Sequence, residues 1–154
     1  MTRLSSCGEF EISDDPKRMD VSAIHSYLTR SYWAEGIKLE LVDRCIQGSL
    51  CLGLFHRDQQ VGFARVVTDR TTFAYLCDVY VLEIHHGKGL GRWLIESVMS
   101  HPDLQGLRRF MLVTKDAHRI YQQFGFANST YPDRILEISR PGLYLTSSKA
   151  SELK

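Results

Sequence analysis

Apolar and polar positions along the chain change between strand-like and helix-like spacing. Residues 10–12 have the character of a short strand, and the polar residues 14–16 then offer caps for a helix that runs to about Tyr32. Apolar side chains within this segment recur at helical intervals. A second helix is predicted over residues 39–46, with Gly48 as its end.

The rest of the chain alternates short apolar runs with amphipathic stretches. Further strands are predicted at residues 50–55, 61–67, 73–82, 110–113 and 135–138. Amphipathic spacing predicts helices over residues 89–100 and 116–124. Because the first two of these strands are separated by a short polar turn, they are expected to form a hairpin. The order β-α-α-β-β-β-α-β-α-β predicts a mixed α/β (α+β) sandwich.

Size and composition fit one ordinary globular domain. The chain has 154 residues, of which 44% are hydrophobic, and its formal net charge is +1. It contains neither a basic arm nor an apolar run of about 20 residues, so neither a nucleic acid nor a membrane is an expected partner. The first residues lack the apolar segment of a signal peptide, and the four cysteines have no Cys-x-x-Cys spacing. Cys45, Cys51 and Cys77 lie in apolar surroundings, which favours buried thiols in a reducing compartment, and a cytoplasmic location is expected.

The most informative segment joins a predicted strand to a predicted helix through a turn rich in glycine. Glycines at positions 87, 89 and 91 allow a tight bend without side chains over it. The amides of this turn and of the first helical turn are free donors, and the helix dipole adds partial positive charge. A corner of this kind binds phosphate.

Two nucleotide-binding motifs fit this turn poorly. A Walker P-loop needs a hydroxyl residue after its lysine, whereas Lys88 is followed by Gly89. A Rossmann fingerprint spaces its glycines at positions one, three and six of an early β-α-β unit. Here the spacing is one, three and five, and it follows several strands. A turn in which the glycines serve only to bend the chain stays open as an interpretation.

Two blocks of the sequence together resemble the GNAT superfamily of acyl-CoA N-acyltransferases. Residues 86–91, His-Gly-Lys-Gly-Leu-Gly, resemble the signature Arg/Gln-x-x-Gly-x-Gly/Ala, and residues 117–126 resemble Ala-x-x-Leu-Tyr-x-x-x-Gly-Phe. The blocks lie about 30 residues apart in the family's order, and the resemblance covers residues 10–140. His86 stands where Arg or Gln is usual, at a position that contributes mostly its backbone amide. Thr114 stands where Asn is frequent.

The resemblance implies a fold and a cofactor. The fold is a mixed, mostly antiparallel central sheet of six or seven strands flanked by helices, with splayed fourth and fifth strands. It would form a single N-acetyltransferase domain over residues 1–154, with a tail at 146–154. Acetyl-CoA (coenzyme A) would place its pyrophosphate on the amides of the glycine turn and its pantetheine arm along the fourth strand. The cofactor contacts so implied are Val79, Tyr80, Val81, His86, Gly87, Lys88, Gly89, Leu90, Gly91, Arg92, Thr114, His118 and Tyr121.

Acyl transfer to an amine needs both a proton acceptor and a proton donor. An alkyl ammonium has a pKa near 10, so about one molecule in a thousand is neutral at pH 7 and the site must take up a proton. The amide of Val79 is the natural donor to the oxyanion. Tyr121 matches the family tyrosine and is the candidate acid for the departing thiolate. Its place in an apolar helical stripe also fits a core position.

Asp78 is the candidate group for contact with the amine. Residues 75–81 resemble the Tyr-Leu-Glu-Asp-x-x-Val segment of diamine acetyltransferases, with Cys77 in place of the glutamate that serves there as base. A carboxylate in an apolar strand must be paired, so Asp78 is either functional or tied to an amide or to Arg65. The base stays open between Asp78, Glu83 and a water chain. No neighbouring cation in the sequence favours Cys77 as a nucleophile.

Aromatic residues between the first two helices are candidates for the acceptor site. Tyr32 and Trp33 fall in a link that forms one wall of that site in the family, and they fit either substrate contacts or a cap on the core. The histidines do not suggest a metal centre. His85 and His86 are adjacent and cannot both bind one ion from a regular strand.

These features together predict an acetyl-CoA-dependent N-acetyltransferase that acts on a primary amine by direct attack in a ternary complex. The acceptor is expected to be a small molecule, which the sequence does not specify. Cys77 at the position of the base favours, as an alternative, a catalytically weak regulator that binds acyl-CoA. A toxin that acetylates aminoacyl-tRNA is disfavoured by the near-zero net charge. Homodimers are common in the family, and the sequence leaves the oligomeric state open.

Overall fold

The computed structural model describes residues 3–145, so the predicted tail at 146–154 lies outside the described residues. Within this range the strands form one six-stranded sheet in sequence order. They are β1 (Arg3–Cys7), β2 (Phe10–Ser13), β3 (Leu50–His56), β4 (Gln59–Thr68), β5 (Phe73–Val81) and β6 (Arg109–Leu112). Neighbouring strands are antiparallel except β5 and β6, which are parallel. The predicted mixed, mostly antiparallel sheet is confirmed.

Helices cover both faces of the sheet and follow its last strand. In the described residues they are α1 (Val21–Leu28), α2 (Leu39–Gln47), α3 (Leu90–Met99) and α4 (His118–Gln122). Short 3-10 turns occur at Pro16–Arg18, Glu83–His85, Pro102–Leu104 and Pro132–Arg134. α1 and α2 bury Ile24 and Val42 with Phe63 of β4 on one face. α3 buries Leu94 and Val98 on the opposite face.

The last strand pairs with only the first half of β5. Phe73 lies opposite Arg109 and Leu76 lies opposite Leu112, and the pairing stops there. β5 continues to Val81 with β4 on one side and no strand of the described sheet on the other. This gap is the predicted splay between the fourth and fifth strands of the family's scheme, which are β5 and β6 here.

The first helix is shorter than the sequence predicts because Asp20 starts a new helix inside the predicted segment. The side chain of Asp20 caps the amide of Ala23 at 3.0 Å, and α1 begins beside it. Asp14 does not cap a helix, since its carboxylate lies 2.9 Å from Nε2 of the buried His101. Turns follow α1, so Tyr32 lies in the link to α2 rather than at a helix end.

Two strands also differ from the prediction. The predicted strand at 135–138 is wrong, because these residues join no strand of the described sheet and leave Leu136 and Ile138 exposed. In contrast, β1 was not predicted. Its sequence, Arg-Leu-Ser-Ser-Cys, lacks the β-branched and aromatic residues that are typical of strands.

Candidate active site

The turn between β5 and α3 is exposed and held in a conformation that needs glycine. Gly87 and Gly89 have positive φ angles of 80° and 76°. Open space surrounds both positions, but this backbone conformation is strained for residues with a side chain. Gly91 lies in α3, where an added Cβ would meet a methyl of Val81 at an ordinary 4.0 Å. The structure therefore requires glycine at 89 and tolerates alanine at 91, which agrees with the Gly-x-Gly/Ala pattern.

The backbone amides of this turn are unpaired donors. In the described part of the chain the amides of residues 87–92 make no hydrogen bond, whereas Trp93 donates to the carbonyl of Gly89 at 3.1 Å. These donors precede and open α3, so the helix dipole adds to their positive character. His86 differs, because its amide donates to the carbonyl of Glu83 at 3.0 Å. The His86 amide is therefore already paired within the turn, and its contact with the cofactor stays a prediction.

The open side of β5 carries the backbone groups of Val79 and Val81. The amide of Leu82 donates to a carbonyl of β4 at 2.8 Å. Because polar groups alternate along a strand, Tyr80 also faces β4, and Val79 and Val81 face the gap left by β6. Nε2 of His86 contacts the carbonyl of Val81 at 2.6 Å. The amides of Val79 and Val81 and the carbonyl of Val79 thus line an unfilled edge of the described sheet.

A β-bulge at Asp78 determines which way the β5 side chains point. β5 carries an additional residue opposite β4 at this position, and Asp78 has a φ of 54°. Aspartate adopts this left-handed conformation more readily than most residues. As a result, Cys77 and Tyr80 both face α1 and α2, whereas Val79 and Val81 face α3.

Both oxygens of the Asp78 carboxylate accept hydrogen bonds. Oδ2 accepts from Nε of Arg65 at 2.7 Å, and Oδ1 accepts from Nε1 of Trp33 at 2.8 Å. The Arg65 and Asp78 side chains are only 17% and 10% exposed. Burial acts to lower the pKa of Arg65, but the adjacent Asp78 carboxylate helps to shift it upward overall. Of the alternatives that the sequence leaves open, the tie to Arg65 is the one observed.

The other candidate base, Glu83, is also bound to an arginine. Arg30 donates to both Glu83 oxygens, at 2.7 and 2.9 Å, and these bonds lower the pKa of Glu83 to about 2. The Arg30 guanidinium lies 4.3 Å from the centre of the Tyr27 ring, which in turn stacks on Tyr80 at 3.9 Å. The Tyr80 side chain is therefore part of the core and does not reach the open edge. Arg30 was missed in the sequence because it is 53 residues from its partner.

Tyr121 combines a packed ring with an unpaired hydroxyl. Its ring lies 5.9 Å from that of Phe126, and it packs against the same core cluster as Val79. Within residues 3–145 its hydroxyl makes no hydrogen bond. Burial raises the pKa of Tyr121, and the Tyr32 hydroxyl adds to the shift. The phenol therefore stays protonated at neutral pH and is a candidate donor, as well as a core residue.

A cavity of about 420 Å³ lies beside β6 and α4 and is also lined by residues that follow them in the chain. Thr114, His118 and Tyr121 line it, so three of the predicted cofactor contacts share one space. Oγ1 of Thr114 accepts from the amide of Ala117 at 3.0 Å, which fixes the chain just before α4. The glycine turn lies outside this cavity, so the structure does not join all the predicted contacts into one enclosed space.

The cationic side chains at the glycine turn, Lys88 and Arg92, contact other side chains. Nζ of Lys88 lies 3.3 Å from Nδ1 of His85. Arg92 donates to Glu96 on its own helix at 3.0 Å and also to Gln123, which follows α4. Arg92 therefore connects the two signature blocks. The donors left unpaired at this corner are backbone amides, and any cofactor contact by the Lys88 or Arg92 side chain stays a prediction.

A second cavity, of about 260 Å³, lies between α1, α2 and the opposite face of β4 and β5. We call it the inner cavity, and its walls include Asp78, Trp33 and Cys77. Burial raises the pKa of Cys77 to about 12, so this thiol is neutral and a poor nucleophile. Tyr32 is more exposed than Trp33, and its ring stands edge-on to that of Trp33. The ammonium of Lys115 lies 5.3 Å from the centre of the Tyr32 ring.

Three further properties of residues 3–145 concern metal ions, cysteines and membrane spans. No group of three or more His, Cys, Asp and Glu side chains there is placed to hold a metal ion. The four cysteines are free. Among the described helices, none has the length and apolar character that a membrane span requires.

Known proteins are similar to this chain in sequence and in fold. The profile of the acetyltransferase (GNAT) family matches residues 11–126. A Gibberella zeae protein described as an acetyltransferase is 32% identical over 137 residues, which cover 74% of this chain and 76% of that protein. A crystal structure of a Xanthomonas campestris pv. campestris protein, described as a GNAT-family acetyltransferase, is 46% identical with a TM-score of 0.87. That similarity covers 90% of this chain and 99% of the Xanthomonas chain.

A more distant structure shares the fold alone. A Clostridium acetobutylicum protein described as an acetyltransferase, and solved with acetyl-CoA, is 16% identical with a TM-score of 0.61. The similarity covers 84% of this chain and 94% of that one.

The match to the GNAT family profile over residues 11–126 spans most of the chain. This chain belongs to the acetyltransferase (GNAT) family.

Proposed function

We propose that this protein transfers the acetyl group of acetyl-CoA to the nitrogen of a small primary amine, by direct attack in a ternary complex. The observation that supports this proposal is the set of unpaired amides at residues 87–92, next to the open edge of β5. A diphosphate supplies acceptors for such amides. The peptide-like groups of a pantetheine arm match the strand-type donors and acceptors of Val79 and Val81.

The residues of this chain fit acetyl-CoA as a substrate. No other group lies within 4 Å of the place that a Cβ would take at Gly87 or Gly89, so the turn is open at both positions. Acetyl-CoA supplies an acyl group that is already activated as a thioester. The inner cavity and the open edge adjoin the same short segment of β5, so the proposal places the amine beside Asp78 and the thioester beside Val79.

The proton must move between groups that this site provides. The amine nitrogen forms a bond to the carbonyl carbon, the carbon–sulfur bond breaks, the nitrogen loses a proton and the sulfur gains one. We assign the sulfur's proton to the Tyr121 hydroxyl and the developing oxyanion to the amide of Val79. Asp78 and Glu83 are each bound to an arginine. We therefore assign proton removal from the amine to a water chain.

Calorimetry and a thiol-release assay test this proposal. Acetyl-CoA is expected to bind saturably at sub-millimolar concentration, and free coenzyme A is expected to appear only when a primary amine is added. A tertiary amine of the same size is the matched control, since it has no proton to lose and yields no stable amide. Absence of acetyl-CoA binding would refute the proposal.

A regulator that binds acyl-CoA without turnover is the second candidate. Cys77 stands where the diamine acetyltransferases have a glutamate as base, and its thiol is neutral. This favours the regulator. The unpaired Tyr121 hydroxyl favours the enzyme. Tight binding of acetyl-CoA with no coenzyme A release over a broad amine panel would decide for the regulator.

A further inference from the structure

The inner cavity has a composition that restricts what can enter it. Apolar side chains from α1, α2 and β4 form most of its wall, among them Leu28, Val42 and Phe63. The other lining residues include Cys45 of α2. The protein's own side chains leave a space of about 260 Å³ unfilled beside the core.

The cavity is electrically neutral. Its ionised side chains are Asp78 and Arg65, which bind each other at 2.7 Å. Burial keeps the Cys77 thiol neutral and raises the pKa of Tyr75, so neither supplies a negative charge. A guest with a second ammonium group would bury a charge that nothing in the wall compensates.

The cavity also adjoins the reacting edge. Cys77 and Asp78 line it, and the next residue, Val79, presents its amide to the open edge of β5. Trp33 and Tyr144 line both the inner cavity and an outer space of about 410 Å³ that is bounded by residues 139–145. They therefore stand between the inner cavity and the surface.

We propose that the acceptor is a monoamine whose uncharged aromatic or branched aliphatic group occupies the inner cavity. This inference rests on the proposed function and names its substrate class. An apolar cavity of about 150 Å³ holds a benzene molecule. The larger volume here has room for the side group of 2-phenylethylamine or 3-methylbutylamine. Diamines and amino sugars, which carry further charges or many hydroxyls, are excluded by the same wall.

Competition among amines tests the inference. With acetyl-CoA saturating, kcat/KM for 2-phenylethylamine is expected to exceed that for ethylamine and for 1,4-diaminobutane by about tenfold or more. A ratio of this size is the discrimination that an apolar group provides in a hydrophobic pocket. Cys45→Phe fills the cavity and is expected to reduce the ratio of 2-phenylethylamine to ethylamine about tenfold. Cys7→Phe is the matched control, because Cys7 is exposed in β1, away from the cavity. It should leave the ratio unchanged.

The outcomes separate this inference from the proposed function. A preference for 1,4-diaminobutane, or an unchanged ratio in Cys45→Phe, overturns the inference while the acetyltransferase assignment stands. If Cys45→Phe does not fold, as judged by circular dichroism, Cys45→Met provides the smaller filling group. If no amine is acetylated, the proposed function fails. The cavity is then tested by titrating 2-phenylethylamine into the protein with coenzyme A. Saturable binding that is lost in the filled variant supports the cavity assignment, and no binding overturns it.

Discussion

The indole Nε1 of Trp33 donates to Oδ1 of Asp78 at 2.8 Å. This bond connects the link between α1 and α2 to the bulge of β5. Trp33 is 39% exposed, whereas the Asp78 carboxylate is nearly buried, so the indole closes the solvent side of the Arg65–Asp78 pair. The position of the link is therefore coupled to the strand that bears the amide of Val79.

Trp33→Phe keeps an aromatic ring and removes this donor. A buried acceptor left without its partner costs about 1–3 kcal/mol, and we expect kcat/KM for the amine to fall about tenfold. The affinity for acetyl-CoA should not change. Steady-state kinetics with calorimetry measure the two quantities. Trp93→Phe, on the opposite face of the sheet, is the control, and an equal fall in that variant would contradict the role of Trp33.

The two arginine–carboxylate pairs are expected to differ in their contribution to stability. Arg65→Met leaves Asp78 nearly buried without its cation, and the free energy of unfolding should fall by about 3 kcal/mol. Arg30→Met removes the partner of Glu83, but both of those side chains are more than half exposed. Its effect on the unfolding free energy in urea should be much smaller. Equal losses would contradict the burial of the Arg65 pair.

Arg30→Met should also change the titration of Glu83. Without the two bonds from Arg30, the Glu83 pKa is expected to rise from about 2 toward the ordinary glutamate value of about 4.3. The lowered pKa stabilises the folded state above the unfolded pKa, and this contribution is lost as the pH falls through the folded value. NMR titration of the side-chain carboxyl carbon measures the shift. An unchanged pKa would show that the pair does not persist in solution.

Apolar patterns in the sequence predict most of the strands and the turns between them. They do not predict where the first helix begins, or whether every apolar run joins the sheet. The β3–β4 hairpin, the β5–α3 turn and the splay of β6 agree with the expectation. The first helix was predicted too long, because apolar periodicity continues across Asp20 while its cap starts a new helix. An apolar run at 135–138 has the composition of a strand, yet strand formation also needs a partner edge that composition does not supply.

The candidate site was predicted in its backbone part and less well in its side chains. Glycine spacing identifies the turn because positive φ angles have a residue signature. The bulge at Asp78 has no such signature, so the facing of Cys77 and Val79 could not be derived. Long-range partners such as Arg30 for Glu83, and the approach of Tyr144 to the inner cavity, depend on tertiary contacts that local patterns do not encode.

The glycines of the turn should respond differently to the same substitution. Gly89→Ala places a side chain at a φ of 76°, which costs roughly 1–2 kcal/mol and should rotate the neighbouring amides. We expect acetyl-CoA to bind about tenfold more weakly. Gly91→Ala occupies a helical position with room for its methyl group. It should be neutral or slightly stabilising in urea unfolding. A greater loss of acetyl-CoA affinity in Gly91→Ala than in Gly89→Ala would show that the conformation of the turn does not depend on Gly89.

Removal of the Tyr121 hydroxyl should slow the reaction without unfolding the domain. Tyr121→Phe keeps the packed ring and is expected to lower kcat about 100-fold. In the parent protein log kcat/KM should rise with pH from about 7 to 9, because the free amine fraction grows and the raised pKa of Tyr121 keeps the donor protonated. A pH–rate profile measures this. Full activity in Tyr121→Phe would confine the residue to a core role.

Titration of coenzyme A into ¹⁵N-labelled protein, followed by NMR, tests the central claim most directly. If the amides of residues 87–92 hold the diphosphate, their ¹⁵N–¹H signals should shift together and saturate at one dissociation constant. Pantetheine, which lacks the diphosphate, should shift the signals of Val79 and Val81 but not those of the turn. Saturable binding that leaves residues 87–92 unmoved would contradict the account.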